Sequence, residues 1–163
     1  MFGETRVALH NPRRFEQWLP ACFDGLFHWD FLLPAFKETK IKPMDIDCCI
    51  ERNNHFLMFE TKLPGVSVET GQQITLTNLW RNGKTTIIHV EGKTAKTITK
   101  FSIYAEWEEQ KDEQFGSRQL TPANAFDLIY VERRWFCRVH HIETPDREKW
   151  DAELWLWDYQ AER

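Results

Sequence analysis

The sequence predicts a single α/β domain, 1–163, with a mixed central sheet flanked by helices. Three observations predict it. Two short strand-like runs, 45–51 and 56–62, flank a turn at Arg52-Asn-Asn-His55. A helical pattern at 67–82 follows, and then a β-branched run at 85–90 (Thr-Thr-Ile-Ile-His-Val). The order strand, strand, helix, strand, with helical material before it, is that of a sheet with helices packed on it.

Taken in order, residues 12–36 place Phe15, Trp18, Leu19, Phe23, Leu26 and Phe27 at roughly helical spacing, and Pro20 and Pro34 break that region into short helices. Asn tolerates positive φ, so Asn53-Asn54 suits a tight hairpin turn. Pro64-Gly65 ends the second strand. The 67–82 helix packs through Val68, Leu76, Leu79 and Trp80, with Gly83 just past its end. Residues 98–104 form a further candidate strand. Thr121-Pro122 reads as a helix start, with a helix over 123–139, although Ile129-Tyr-Val131 leaves a strand open. Residues 146–160 read as a terminal helix.

A chain of 163 residues, 42% hydrophobic and 28% charged, suits one globular domain with a real core. Eight Trp and twelve Phe supply that core, and packing is the expected role of most of them, including Trp150, Trp155 and Trp157. The four cysteines, Cys22, Cys48, Cys49 and Cys137, make no Cys-x-x-Cys pair, which argues against a zinc site or disulfide framework. The N-terminus lacks the basic-then-apolar order of a signal peptide, and no apolar run has the length of a membrane span. The expected setting is the reducing cytoplasm, with no membrane partner. The net charge of −4 excludes an indiscriminate nucleic-acid coat. Charge is nevertheless uneven. Between Arg81 and Lys100, five basic side chains (Arg81, Lys84, Lys93, Lys96 and Lys100) face one acid, Glu91. Between Glu106 and Glu113, five acids face one lysine.

The hairpin carries a geometric argument. With Asn53-Asn54 at the turn, antiparallel partners sum to 107, so Asp47 lies opposite Glu60 and Asp45 opposite Lys62. All four then share one face, and Ile46, Cys48, Ile50, Leu57 and Phe59 form a core face. Directly opposed residues have Cβ atoms about 5 Å apart, so the two facing carboxylates repel unless a positive group lies between them. Mg²⁺ or Mn²⁺ would remove that repulsion, held by Asp47, Glu60 and the Thr61 carbonyl, with Lys62 beside the attacking water. At the polar end of a strand, Glu60 and Lys62 are expected at the surface, where substitution changes stability by less than roughly 1 kcal/mol.

Pro43-Met-Asp-Ile-Asp47, followed by Phe-Leu-Met-Phe-Glu60-Thr-Lys62, resembles the PD-(D/E)XK nuclease superfamily. That family carries an acid on one strand and a hydrophobic strand ending in Glu-x-Lys. Gly71-Gln72 resembles the helical glutamine of its virus-type replication-repair and RecB-like branches. The resemblance covers roughly 43–91. It implies a restriction-endonuclease-like core and metal-dependent hydrolysis of phosphodiesters, usually in DNA, with Asp47, Glu60, Lys62 and Gln72 as the catalytic set. Met44 follows Pro43 where the family has Pro-Asp, so Asp45 and Asp47 both stand as the first metal ligand. Glu16 and Asp30 are the candidates for the family's helical N-terminal acid.

If the basic stretch lies beside the site, Lys84, Lys93, Lys96 and Lys100 would contact phosphate. The competing reading is solvated surface. A polar helix face is the expectation for His140-His141 with Arg133, Arg134 and Arg138, and a satisfied core position for His28 and His89. Gly83-Lys-Thr and Gly92-Lys-Thr are not P-loops, because the glycine needed five residues earlier is Asn78 or Ile87. The rival to a deoxyribonuclease is an inactive protein on the same fold that binds nucleic acid or a partner protein. An RNase and a homodimer also remain open.

Overall fold

The computed structural model describes residues 34–35, 44, 46–93, 97–108 and 112–153. The chain divides into two compact units, Met1–Pro43 and Met44–Arg163, and nearly all described residues belong to the second. Apart from residues 34–35, the expected helices at 12–36 lie outside the described residues, as do the candidates Glu16, Asp30, His28, Trp155 and Trp157. So do Asp45 and Lys96.

Among the described residues five strands form one mixed sheet in the order β1-β2-β3-β4-β5: β1 Cys48–Arg52, β2 His55–Lys62, β3 Thr85–Gly92, β4 Ile98–Tyr104 and β5 Thr121–Pro122. Helix α1, Thr70–Arg81, connects β2 to β3, which run parallel; every other pair is antiparallel. Helix α2 spans Ala125–Val139, and residues 147–153 are helical again. Among the described residues no helix is long and apolar enough to cross a membrane.

The β1–β2 ladder has the expected register, from Cys48 opposite Phe59 to Arg52 opposite His55. Its turn residues Asn53 and Asn54 both adopt positive φ, 52° and 63°. Two consecutive left-handed residues give a turn twist that matches the strands, and Asn is the side chain that bears this best. A second turn at Leu63-Pro-Gly-Val66 closes with the Val66 N–H donating to the Leu63 carbonyl, Gly65 taking φ +79°. That turn reverses the chain from β2 into α1.

Alternation along the strands builds one core on each face. On one, Met58, Ile87 and Tyr104 pack against Leu76 and Trp80 of α1 and against Phe115. On the other, Leu57, Phe59, Ile88 and Val90 pack against Trp135 and Val139 of α2. Trp80 is wholly buried and its indole N–H donates to the Ala105 carbonyl. The expected core face of the hairpin is only half realised. Leu57 and Phe59 are buried, but Ile46, Cys48 and Ile50 are exposed, because β1 is the sheet's edge strand and α2 packs over β2 and β3.

Thr121-Pro122 is not a helix start. It pairs with Lys100 and Phe101 as β5, an edge position where proline's missing N–H costs no ladder bond. Helix α2 begins instead from a capping box: the Asn124 side chain accepts from the Asp127 N–H, and the Asp127 carboxylate accepts from the Asn124 N–H.

Candidate active site

On the α1 face, the sheet changes character in three successive rows. Met58, Ile87 and Tyr104 lie level with one another and are apolar. The next row is Glu60, His89 and Ser102, polar but buried, at 2%, 5% and 7% exposure. The third row is Lys62, Glu91 and Lys100, charged and more open. The polar row therefore sits where the apolar core ends and before solvent begins.

Glu60 and Lys62 form an ion pair, Nζ to Oε1 at 2.7 Å, and Lys62 Nζ also donates to Gln72 Oε1 at 2.7 Å. Gln72 stands in the first turn of α1, and the Leu63–Val66 turn carries it back over the end of β2. Extending the ladder by one residue sets Asp47 level with Glu60. The Asp47 carboxylate bends toward the next residue: its Oδ2 accepts from the Thr61 N–H at 2.7 Å and the Thr61 hydroxyl at 2.6 Å. In an extended strand the C=O of a residue leaves on the same side as its N–H, so the Thr61 carbonyl points toward the Asp47 edge. Glu60, Lys62 and Gln72 are thus joined through the Lys62 ammonium, and Asp47, held by Thr61, is near enough for its charge to act on Glu60.

The expectation that Glu60 and Lys62 are surface residues does not hold. The Glu60 side chain is 3% exposed and that of Lys62 is 15%. Burial is the main force raising the Glu60 pKa above its ordinary value; Asp47 adds to it, while Lys62 and Gln72 work against it. A carboxyl with a raised folded-state pKa favours folding below its ordinary pKa, and that contribution is lost as pH rises through the folded value. Metal-free Glu60→Gln is therefore expected to match wild type near pH 4 and to exceed it in denaturant midpoint at pH 8. Equal midpoints at pH 8 would mean that burial of the charged carboxylate costs nothing.

The donor set suits a hard divalent ion. Among the described residues no three His, Cys, Asp or Glu side chains are grouped as a metal cage. Mg²⁺ does not need one, since it keeps several waters and commonly uses one or two carboxylates. Asp47, Glu60 and the Thr61 carbonyl supply oxygens of that kind.

The basic stretch is divided by the fold. Lys100 lies in the charged row with its ammonium 3.8 Å from Glu91, and Lys93 is exposed just beyond the same end of β3. Lys84 precedes β3 at its opposite end, about 17 Å from His89 at ~3.3 Å per residue. It is not beside the site.

His89 departs from the satisfied core position expected for it. It is buried as expected, yet unsatisfied: neither ring nitrogen has a hydrogen-bond partner, and the Ser102 hydroxyl beside it has none either. A buried polar group left unpaired costs about 1–3 kcal/mol. Burial chiefly, and then the Lys62 charge, lower the His89 pKa. The ring lines an open cleft of about 390 Å³ with Ser67, Lys100, Gly116 and Arg118. The far wall is pinned by the Tyr104 hydroxyl, which accepts from the Gly116 and Arg118 N–H groups at 2.9 Å each. The available signal was the helix-linked pairing of β2 with β3, which sets His89 level with Glu60. His140 and Arg138 lie elsewhere: Arg52 donates to His140, and Arg138 stacks on Trp107.

No protein-family model, no curated protein and no solved structure matches the chain.

Proposed function

We propose that this chain is a Mg²⁺- or Mn²⁺-dependent nuclease of the PD-(D/E)XK type, with a restriction-endonuclease-like core, that hydrolyses phosphodiester bonds in DNA. The observation that carries the reading is the buried Glu60–Lys62–Gln72 set at the end of the hairpin and the start of the following helix, with Asp47 held by Thr61 close enough for its charge to act on Glu60. A solvated hairpin end has no need to bury a carboxylate and an ammonium together, since burial costs each ion several kcal/mol before pairing.

Asp47, Glu60 and the Thr61 carbonyl would hold the ion. Once bound, it supplies a Lewis acid for the phosphoryl oxygen and a lowered pKa for an attacking water. The chain supplies the rest. Lys62 holds its ammonium beside Glu60, where it can orient the water and offset charge building on the phosphate. Gln72 fixes Lys62 through the 2.7 Å bond to its ammonium. The Thr61 N–H and hydroxyl hold Asp47 in place.

Calorimetric titration of Mn²⁺ tests the ion site: wild type should bind, and Asp47→Asn should bind weakly or not at all. Silence from wild type would favour an inactive binding protein on this fold. The lysines make a separate test of the polymer. Lys93→Glu with Lys100→Glu should weaken DNA binding and flatten its salt dependence, whereas Lys84→Glu alone should change binding little. Equal effects from both would move the DNA path away from this end of the sheet.

A further inference from the structure

The polar row does not stop at the residues the hydrolytic reading uses. It continues from Glu60 across β3 and β4 to His89 and Ser102. Both are more than nine-tenths buried, and both carry polar atoms without a partner. An apolar pair at these positions would continue the Met58–Ile87–Tyr104 core at no desolvation cost. A donor-bearing imidazole instead sits at the wall of a cleft whose rim holds Lys100, and the Ser102 hydroxyl lies behind it as the next member of the row. Arg118, on the opposite wall, is already engaged with Glu108 and Glu113, and so shapes the cleft more than it charges it. Lys100 is looser, at 3.8 Å from Glu91 and half exposed. It can turn toward an incoming anion.

We propose that His89 and Ser102 are substrate-binding residues that receive the phosphodiester flanking the scissile one, with Lys100 closing over it from the rim. This rests on the nuclease reading of Asp47, Glu60 and Lys62. A phosphate fits the chemistry because its oxygens accept, and the row offers an imidazole N–H, a hydroxyl and an ammonium as donors. The position fits too. His89 is the strand neighbour of Glu60, so a group bound there lies one sheet position from the hydrolytic locus.

The probe is a labelled oligothymidylate, measured by fluorescence anisotropy in Ca²⁺ so that binding is read without turnover. His89→Leu should bind about tenfold or more weakly, the loss expected for a hydrogen bond to a charged group. Its denaturant midpoint should equal or exceed that of wild type, because an unpaired polar ring has been removed. His89→Gln, which keeps a donor, should recover part of the affinity, and Ser102→Ala should lose a smaller part. A neutral methylphosphonate placed next to the cleavage position should weaken wild-type binding and leave His89→Leu unaffected. Should His89→Leu fold poorly, Ser102→Ala and His89→Gln carry the same comparison, each with a methylphosphonate penalty smaller than that of wild type. Wild-type affinity in His89→Leu, or a methylphosphonate penalty that adds to the mutation, overturns the assignment. If wild type cleaves DNA while His89→Leu binds normally, only this inference falls. If wild type neither binds nor cleaves the oligonucleotide, the nuclease reading falls and takes this one with it.

Discussion

Glu60→Ala is expected to reduce DNA cleavage on the order of 10³-fold or more, because in the proposed nuclease one side chain would both hold the ion and set the charge of the site. The chain should still fold, since residues 56–59 and the α1 core are untouched. The loss should appear in metal binding as well as in turnover: the Mn²⁺ isotherm of Glu60→Ala should be flat where that of wild type is not. Stability should shift in the opposite sense. Burial, with Asp47, disfavours the charged Glu60 carboxylate more than Lys62 and Gln72 favour it, and the Lys62 ammonium left behind is partly open to solvent, so removal of Glu60 relieves the metal-free protein of a net cost. Added Mn²⁺ should then raise the melting temperature of wild type and leave that of the variant unchanged. Cleavage at wild-type rates by Glu60→Ala would remove Glu60 from the chemistry.

Lys62→Ala is expected to be as inactive for a different reason. Both carboxylates remain, so Mn²⁺ affinity should be near normal or tighter, since a competing ammonium 2.7 Å from Glu60 Oε1 is gone. The rate should fall roughly 10²–10³-fold, the scale seen when a group that stabilises transition-state charge is deleted. Stability should fall too. Breaking a fully buried ion pair costs about 3–5 kcal/mol, and with Lys62 partly open and Gln72 still present, roughly 2 kcal/mol is expected here. Chemical denaturation of the metal-free variant reads the stability and calorimetry reads the affinity. Lost metal binding in Lys62→Ala would make the lysine a structural support of the ion site.

The hairpin was legible because its signals are local. Two consecutive Asn residues set the turn, a period of two sets the faces, and together they fix which residue opposes which. The Glu60–Lys62 pair and Gln72 were legible as a pattern, but their depth was not. Depth depends on β3 lying beside β2 and on α1 folding back over its end, and neither is written in residues 56–62. For the same reason His89 looked like an ordinary core residue. Its neighbour in space, Glu60, is separated from it by a whole helix. Thr121-Pro122 misled because a two-residue edge strand has no period to detect, while the true helix start, Asn124 with Asp127, was present as a capping box and went unread. Ile46 and Ile50 were placed in the core by alternation alone, which cannot tell an edge strand from a central one.

One measurement bears on the central claim most directly. Purified wild type is incubated with single-stranded, duplex and branched DNA, and with RNA, each with Mg²⁺, with Mn²⁺ and with chelator, beside Glu60→Ala as the control. The account predicts that at least one DNA substrate is cut by wild type with metal, and that none is cut with chelator or by Glu60→Ala. No cleavage of any polymer with either ion, together with a flat Mn²⁺ titration of wild type, would contradict it.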